Sequence, residues 1–186
     1  MGLRSSLGQR LENRWYLRSA VARGLPALGS ELDHTVVVPT GRDGRPGYRI
    51  RATAPSSGLR EPSTGQSTSD FLLKYSARGH LVGTCWGRSD ALGLQARAAR
   101  AVQHVTGQHH GATCIQIPED TRIAGESAVA YTVVVGVVRV TDWLFDHGGW
   151  AFTIGRFHDP DDGDAVLATA DRMLASWEWL DGSASR

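Results

Sequence analysis

The stretch from Gly125 to Phe157 constrains the fold more than any other part of the chain. Ala128-Val129-Ala130-Tyr131-Thr132-Val133-Val134-Val135 is rich in β-branched and small residues, which suit a pleated, buried surface. Gly136 reads as a bulge or kink in that run, and Val138 to Phe145 continues as strand. Asp146-His147-Gly148-Gly149 has the composition of a hairpin turn in a β context. Trp150 to Phe157 then alternates. Trp150, Phe152, Ile154 and Arg156 fall on one face, Ala151, Thr153, Gly155 and Phe157 on the other.

The rest of the chain supplies more strands and the helices to cover them. Leu11 to Leu28 begins as a helix, with Leu11, Trp15, Arg18 and Ala22 on one face and Gly24 and Pro26 as the stop. Thr35 to Val38 is a short β-branched run ended by Pro39. Thr40 to Gly47 is a loop, and Tyr48 to Ala54 alternates as a half-exposed strand. Pro55 to Asp70 is rich in Ser, Thr, Gly and Pro and reads as a long loop. Phe71 to Tyr75 and His80 to Trp86 read as strands joined by Ala77-Arg78-Gly79.

Asp90 is placed to cap a helix from Ala91 to Val105. Its apolar stripe is Leu94, Ala98, Ala101, Val102 and Val105, and Gly107 ends it. Thr113 to Ile117 is a short strand closed by Pro118. The acidic segment Asp159 to Asp164 leads into a last helix with Val166, Ala170, Met173, Leu174 and Trp177 as its buried stripe. Trp177 to Leu180 closes the chain as a short strand or helix end. The expected architecture is α+β, a mainly antiparallel sheet flanked by helices, with residues 1–34 as a helical extension and 35–186 as one domain.

Charge and cysteine content exclude some functions. The net charge of +1 over 186 residues gives no field that would gather nucleic acid or an anionic membrane. Arginines outnumber acids from Arg4 to Arg60, and Asp142 to Asp181 is acidic, which reads as two solvated faces. Ala128 to Val138, the longest apolar stretch, is too short to span a bilayer as a helix. Met1 to Arg23 is basic but lacks the apolar core of a signal peptide. A cytoplasmic location without membrane insertion is therefore expected, with Cys85 and Cys114 as free thiols.

No constellation completes a catalytic, cofactor or metal site. His104, His109 and His110 with Cys114 have the residue types of a zinc site, but adjacent residues at a helix-to-strand connection diverge. Asp159-Pro160-Asp161-Asp162-Gly163-Asp164 lacks the spacing and terminal Glu of a calcium loop, and suits the start of a helix. Cys85 with a histidine is the one conceivable nucleophilic pair, and Ser127 has no Gly-x-Ser-x-Gly turn around it. No phosphate loop or dinucleotide fingerprint is present. Six tryptophans are many for this length. One exposed beside Arg88 or Arg156 would anchor a partner.

From Gly125 to Trp179 the chain resembles the Mog1/PsbP-like α/β/α sandwich family, including its actinobacterial members. The resemblance is carried by Gly125-Glu126-Ser127-Ala128-Val129-Ala130-Tyr131, by His147-Gly148-Gly149 before Trp150-Ala151-Phe152-Thr153-Ile154, and by Ala175-Ser176-Trp177-Glu178-Trp179. Ser127 stands where the family commonly has proline, and the segment up to Pro39 has no counterpart. The resemblance implies a non-enzymatic binding or assembly module, without cofactor or metal, that acts through a protein partner. Its interaction surface would draw on Trp15, Arg18, Trp86, Arg88, Trp143 and Trp150. The alternative is a small-molecule or lipid-binding domain with a cavity between sheet and helix.

Overall fold

The computed structural model describes residues 31–53, 69–76 and 78–180. The elements run β1 (His34–Val38), β2 (Tyr48–Ala52), β3 (Ser69–Lys74), β4 (His80–Arg88), α1 (Leu94–Gln108), β5 (Thr113–Ile123), β6 (Glu126–Val135), β7 (Val138–His147), β8 (Trp150–His158), α2 (Asp164–Ala175) and β9 (Glu178–Trp179). Six strands form one sheet in the order β3-β4-β8-β7-β6-β5, and β1-β2-β9 form a smaller one. Every pairing is antiparallel. The expected α+β architecture is the one observed. The helix expected over Leu11 to Leu28, with Trp15 and Arg18, lies outside the described residues, as does most of the expected Pro55 to Asp70 loop.

The Gly125–Phe157 region folds as a meander, with one change from the expectation. Gly136 does not kink a continuous strand. It opens a two-residue hairpin turn in which Val135 pairs with Val138. Its φ of 63° is the left-handed conformation that such a turn needs and that glycine adopts freely. Gly148 and Gly149 form the next turn, as expected, with His147 paired to Trp150. Pro118 also departs from expectation, because β5 runs through it to Ile123. β5 is an edge strand with register shifts between Cys114 and Glu119, so a residue without an N–H is tolerated there.

The helices shift as well. Asp90 Oδ1 accepts from the Leu92 N–H at 3.0 Å, which closes a turn and not a helix. α1 starts three residues later than expected, with Gly93 at its cap, and runs to Gln108 through Gly107. The last helix ends at Ala175, so Trp177 follows it and does not belong to its stripe.

The two-residue side-chain period divides the six-stranded sheet between two cores. The inner face packs against the small sheet and α2 through Phe71, Leu73, Leu81, Phe145, Phe152 and Ile154, which meet Tyr48, Ile50, Met173 and Trp177. Tyr48 stacks on Trp177 with ring centroids 3.9 Å apart. The outer face carries Val129, Tyr131, Val133, Val140 and Leu144, and α1 lays Ala98 and Val105 on them. That second core lies between the sheet and α1.

Candidate interaction surface

The end of β4 presents the most exposed aromatic side chain among the described residues. Cys85 pairs with Phe152 and Gly87 with Ala151, so Trp86 is the extra residue of a bulge. Bulges redirect a side chain out of the ladder, and Trp86 is 65% exposed. Its indole N–H donates to Thr153 Oγ1 at 2.8 Å. The ring is therefore held in one orientation while presenting its faces to solvent.

Arg88 turns the other way. Its guanidinium lies 4.4 Å over the Trp150 ring, and Nη2 donates to the Asp43 carbonyl at 3.2 Å. Trp150 is only 6% exposed, so it stands in the core and not on a surface. The Arg88–Trp150 contact fastens the β1–β2 connection to the β7–β8 turn. Trp143 is half-buried, with the Arg156 guanidinium 5.2 Å from its centroid. Four of the expected surface residues are thus described, and Trp86 alone is freely exposed as an aromatic anchor.

Polar groups that the sequence did not single out brace the same end of the molecule. Asp70 accepts from Arg45 Nη1 at 2.7 Å and from the Tyr48 hydroxyl at 3.2 Å. Burial raises the Asp70 pKa, against the lowering effects of Arg45 and Tyr48. Tyr48 is raised by burial and by the charge of Asp70. His147 Nδ1 lies 2.7 Å from Glu126 Oε1, and its ring stacks on Trp179 at 3.7 Å. These partners lie more than twenty residues apart in the chain, and no local motif announces them.

The residues that might have carried chemistry are arranged differently. Burial pushes the Cys85 thiol up, opposite to the shift an activated thiolate needs. Cys85 and Cys114 are unpaired. They sit on β4 and β5, four strand positions apart and roughly 19 Å at the usual strand spacing. That gap exceeds disulfide reach in any compartment. Among the described residues, no group of three or more His, Cys, Asp or Glu could hold a metal ion, and this includes His104, His109 and His110.

In the acidic segment, Asp159 Oδ1 accepts from the Asp161 N–H and Asp162 Oδ2 from the Asp159 N–H. Asp159 Oδ2 also takes Arg78 Nη1 at 2.6 Å. The carboxylates therefore close their own turn, while the helix cap is Gly163. The Asp161 amide and Arg78 hold the Asp159 carboxyl below its ordinary range. No described helix is long and apolar enough to cross a membrane.

A six-stranded antiparallel sheet with a helix on its outer face, and a small sheet with a second helix on its inner face, is the PsbP-like sandwich. The chain is similar to the solution structure of cyanobacterial PsbP (CyanoP) from Synechocystis sp. PCC 6803. The TM-score is 0.55 at 14% identity, over 84% of this chain and 98% of that one. LpqN of Mycobacterium tuberculosis, whose structure is described as involved in cell envelope biogenesis, aligns over 84% of this chain and 86% of its own. Its TM-score of 0.39 and 11% identity are too loose to add to the assignment. No protein-family profile and no curated protein matches the chain.

Proposed function

We propose that the chain is a non-catalytic binding or assembly module that acts through a protein partner, with Trp86 as the anchor of the contact. The observation that carries this reading is a large aromatic ring, 65% exposed yet held in place by Thr153. A pre-oriented tryptophan costs little side-chain entropy on docking and belongs to the residue types that dominate binding energy. The raised Cys85 thiol speaks only against Cys85 as an activated nucleophile. The Mog1-type and actinobacterial part of the resemblance, the cytoplasmic location and the division at residue 34 belong to the same proposal, and their support is the sequence.

Trp86→Ala is the test. An exposed residue outside the core should change stability by no more than about 0.5 kcal/mol. Partner capture from the native host should fall by roughly tenfold or more, the scale of an interface hot spot. Undiminished capture by a folded Trp86→Ala protein would refute this surface.

A further inference from the structure

We propose that the inner face of the six-stranded sheet carries a site for a small carboxylate or phosphate anion, gripped by Arg139 and Arg156 with Trp143 as its apolar wall. The site lies on the opposite face from Trp86, so it is independent of the partner contact. Register defines it. Gln116, Thr132, Thr141 and Arg156 stand side by side across β5, β6, β7 and β8. The neighbouring row toward the β6–β7 turn is Thr113, Val134, Arg139 and His158. Arg139, Thr141 and Trp143 alternate along β7 and therefore share this face.

The end of this face nearest the β6–β7 turn is thus polar and cationic. Thr132 and Thr141 are buried there with their hydroxyl oxygens 3.0 Å apart, and the Thr132 hydroxyl donates to Gln116 Oε1 at 2.9 Å. The arginines supply the free donors. The Nε atoms of Arg139 and Arg156 are both buried without a hydrogen-bond partner. Arg156 Nη1 pairs with Asp171 Oδ1 at 2.8 Å, but that carboxylate is 61% exposed. Arg139 has no ion pair among the described residues.

Two guanidinium groups on adjacent strands repel each other, and an unmatched buried N–H is costly. His158, beside them, has its pKa lowered by burial and by the charges of both arginines. The carboxylates facing this group are Asp171 and Asp162. A carboxylate or phosphate would meet the remaining charge, and the arginine fork matches a pair of its oxygens. Trp143, already in contact with Arg156, would border the rest of the molecule.

The test is arginine side-chain NMR of the full chain titrated with inorganic phosphate, phenyl phosphate and benzoate at fixed ionic strength. Saturable shifts of the Arg139 and Arg156 Nε–H signals are expected with at least one of these probes. Affinity should fall roughly tenfold or more in Arg139→Gln, the scale of a charge-assisted hydrogen bond. Tighter binding of phenyl phosphate than inorganic phosphate would support the Trp143 wall. No saturable shift, or the same affinity in a folded Arg139→Gln protein, would overturn the site. Should Arg139→Gln fail to fold, Arg139→Lys decides the matter, because it keeps the charge and loses the fork. Unchanged affinity in Arg139→Lys would count against the proposal, and weakened affinity would support it.

Discussion

Acidification should destabilise this protein through His80. The ring opens β4, is buried, and stacks on Phe157 with centroids 4.6 Å apart and planes within 5°. Its Nε2 has no hydrogen-bond partner. Burial pushes the pKa from 6.5 to about 4, and the charge of Lys74 adds to the effect, while a backbone contact with Arg78 opposes it. The folded-state value lies below the unfolded one. Between the two, the unfolded chain binds the extra proton. Stability from this group is complete above pH 6.5 and is lost as pH falls toward 4.

The drop to about 4 corresponds to about 3.4 kcal/mol at full protonation, with 1.36 kcal/mol for each pKa unit. At pH 4 the folded state is itself half protonated, which leaves a loss of about 3 kcal/mol. Against a typical total of about 5–15 kcal/mol this is a large fraction. Other groups add contributions of either sign. Asp70, raised by burial, contributes stability that is present at low pH and lost as pH rises through its pKa. Asp159, lowered, loses its contribution as pH falls. The assay is therefore a difference of differences, from urea unfolding of the natural chain and His80→Phe at pH 7, 5.5 and 4. Phenylalanine keeps a flat ring on Phe157 and cannot titrate. The stability gap between the two proteins should swing by about 3 kcal/mol in favour of His80→Phe. A gap constant to within about 0.5 kcal/mol would show that His80 takes up its proton without cost, which is incompatible with its burial.

Two further substitutions test the packing. A Cβ at Gly83 would lie 2.1 Å from Phe71 Cε1, inside a fully buried ring that cannot swing away. Gly83→Ala should cost about 1–3 kcal/mol by overpacking, and unchanged thermal unfolding would show that the ring does not sit there. Tyr48→Phe removes the hydroxyl that donates to Asp70 and should cost about 1.5 kcal/mol, or roughly 3–6 °C in Tm. No loss in Tm would mean that water supplies that hydrogen bond equally well.

Strand composition was readable where side chains alternate against a core, as along Trp150 to Phe157. It misled where a turn is built from strand formers. Val137, at the tip of the β6–β7 turn, is 78% exposed. Nothing in the string Val135-Gly136-Val137-Val138 distinguishes a kink from a turn, because only the pairing of Val135 with Val138 decides it. Pro118 misled for the converse reason. Proline ends a central strand but not an edge strand, and strand order is a property of the whole sheet. The partnership of Tyr48 with Trp179 joins the two ends of the domain, and no local pattern encodes it.

The distribution of polar residues along β7 and β8 follows from one geometric rule. On the inner face, β7 reads Arg139, Thr141, Trp143, Phe145 and His147, and β8 reads Trp150, Phe152, Ile154, Arg156 and His158. Each list is polar at one end at least and aromatic or aliphatic toward the middle. Antiparallel pairing sets Arg139 beside His158 and His147 beside Trp150. The polar residues are thereby gathered at opposite ends of the same face, with Phe145 and Phe152 stacked between them. At the end marked by His147 the ring meets Glu126 and Trp179. At the other end Arg139 and Arg156 meet Asp171, which is 61% exposed, with Asp162 acting on the adjoining His158. Both ends keep a buried N–H without a partner, the Trp150 indole beside His147 and the guanidinium Nε of Arg139 and Arg156, and the proposed anion rests on the second because two guanidinium groups meet there.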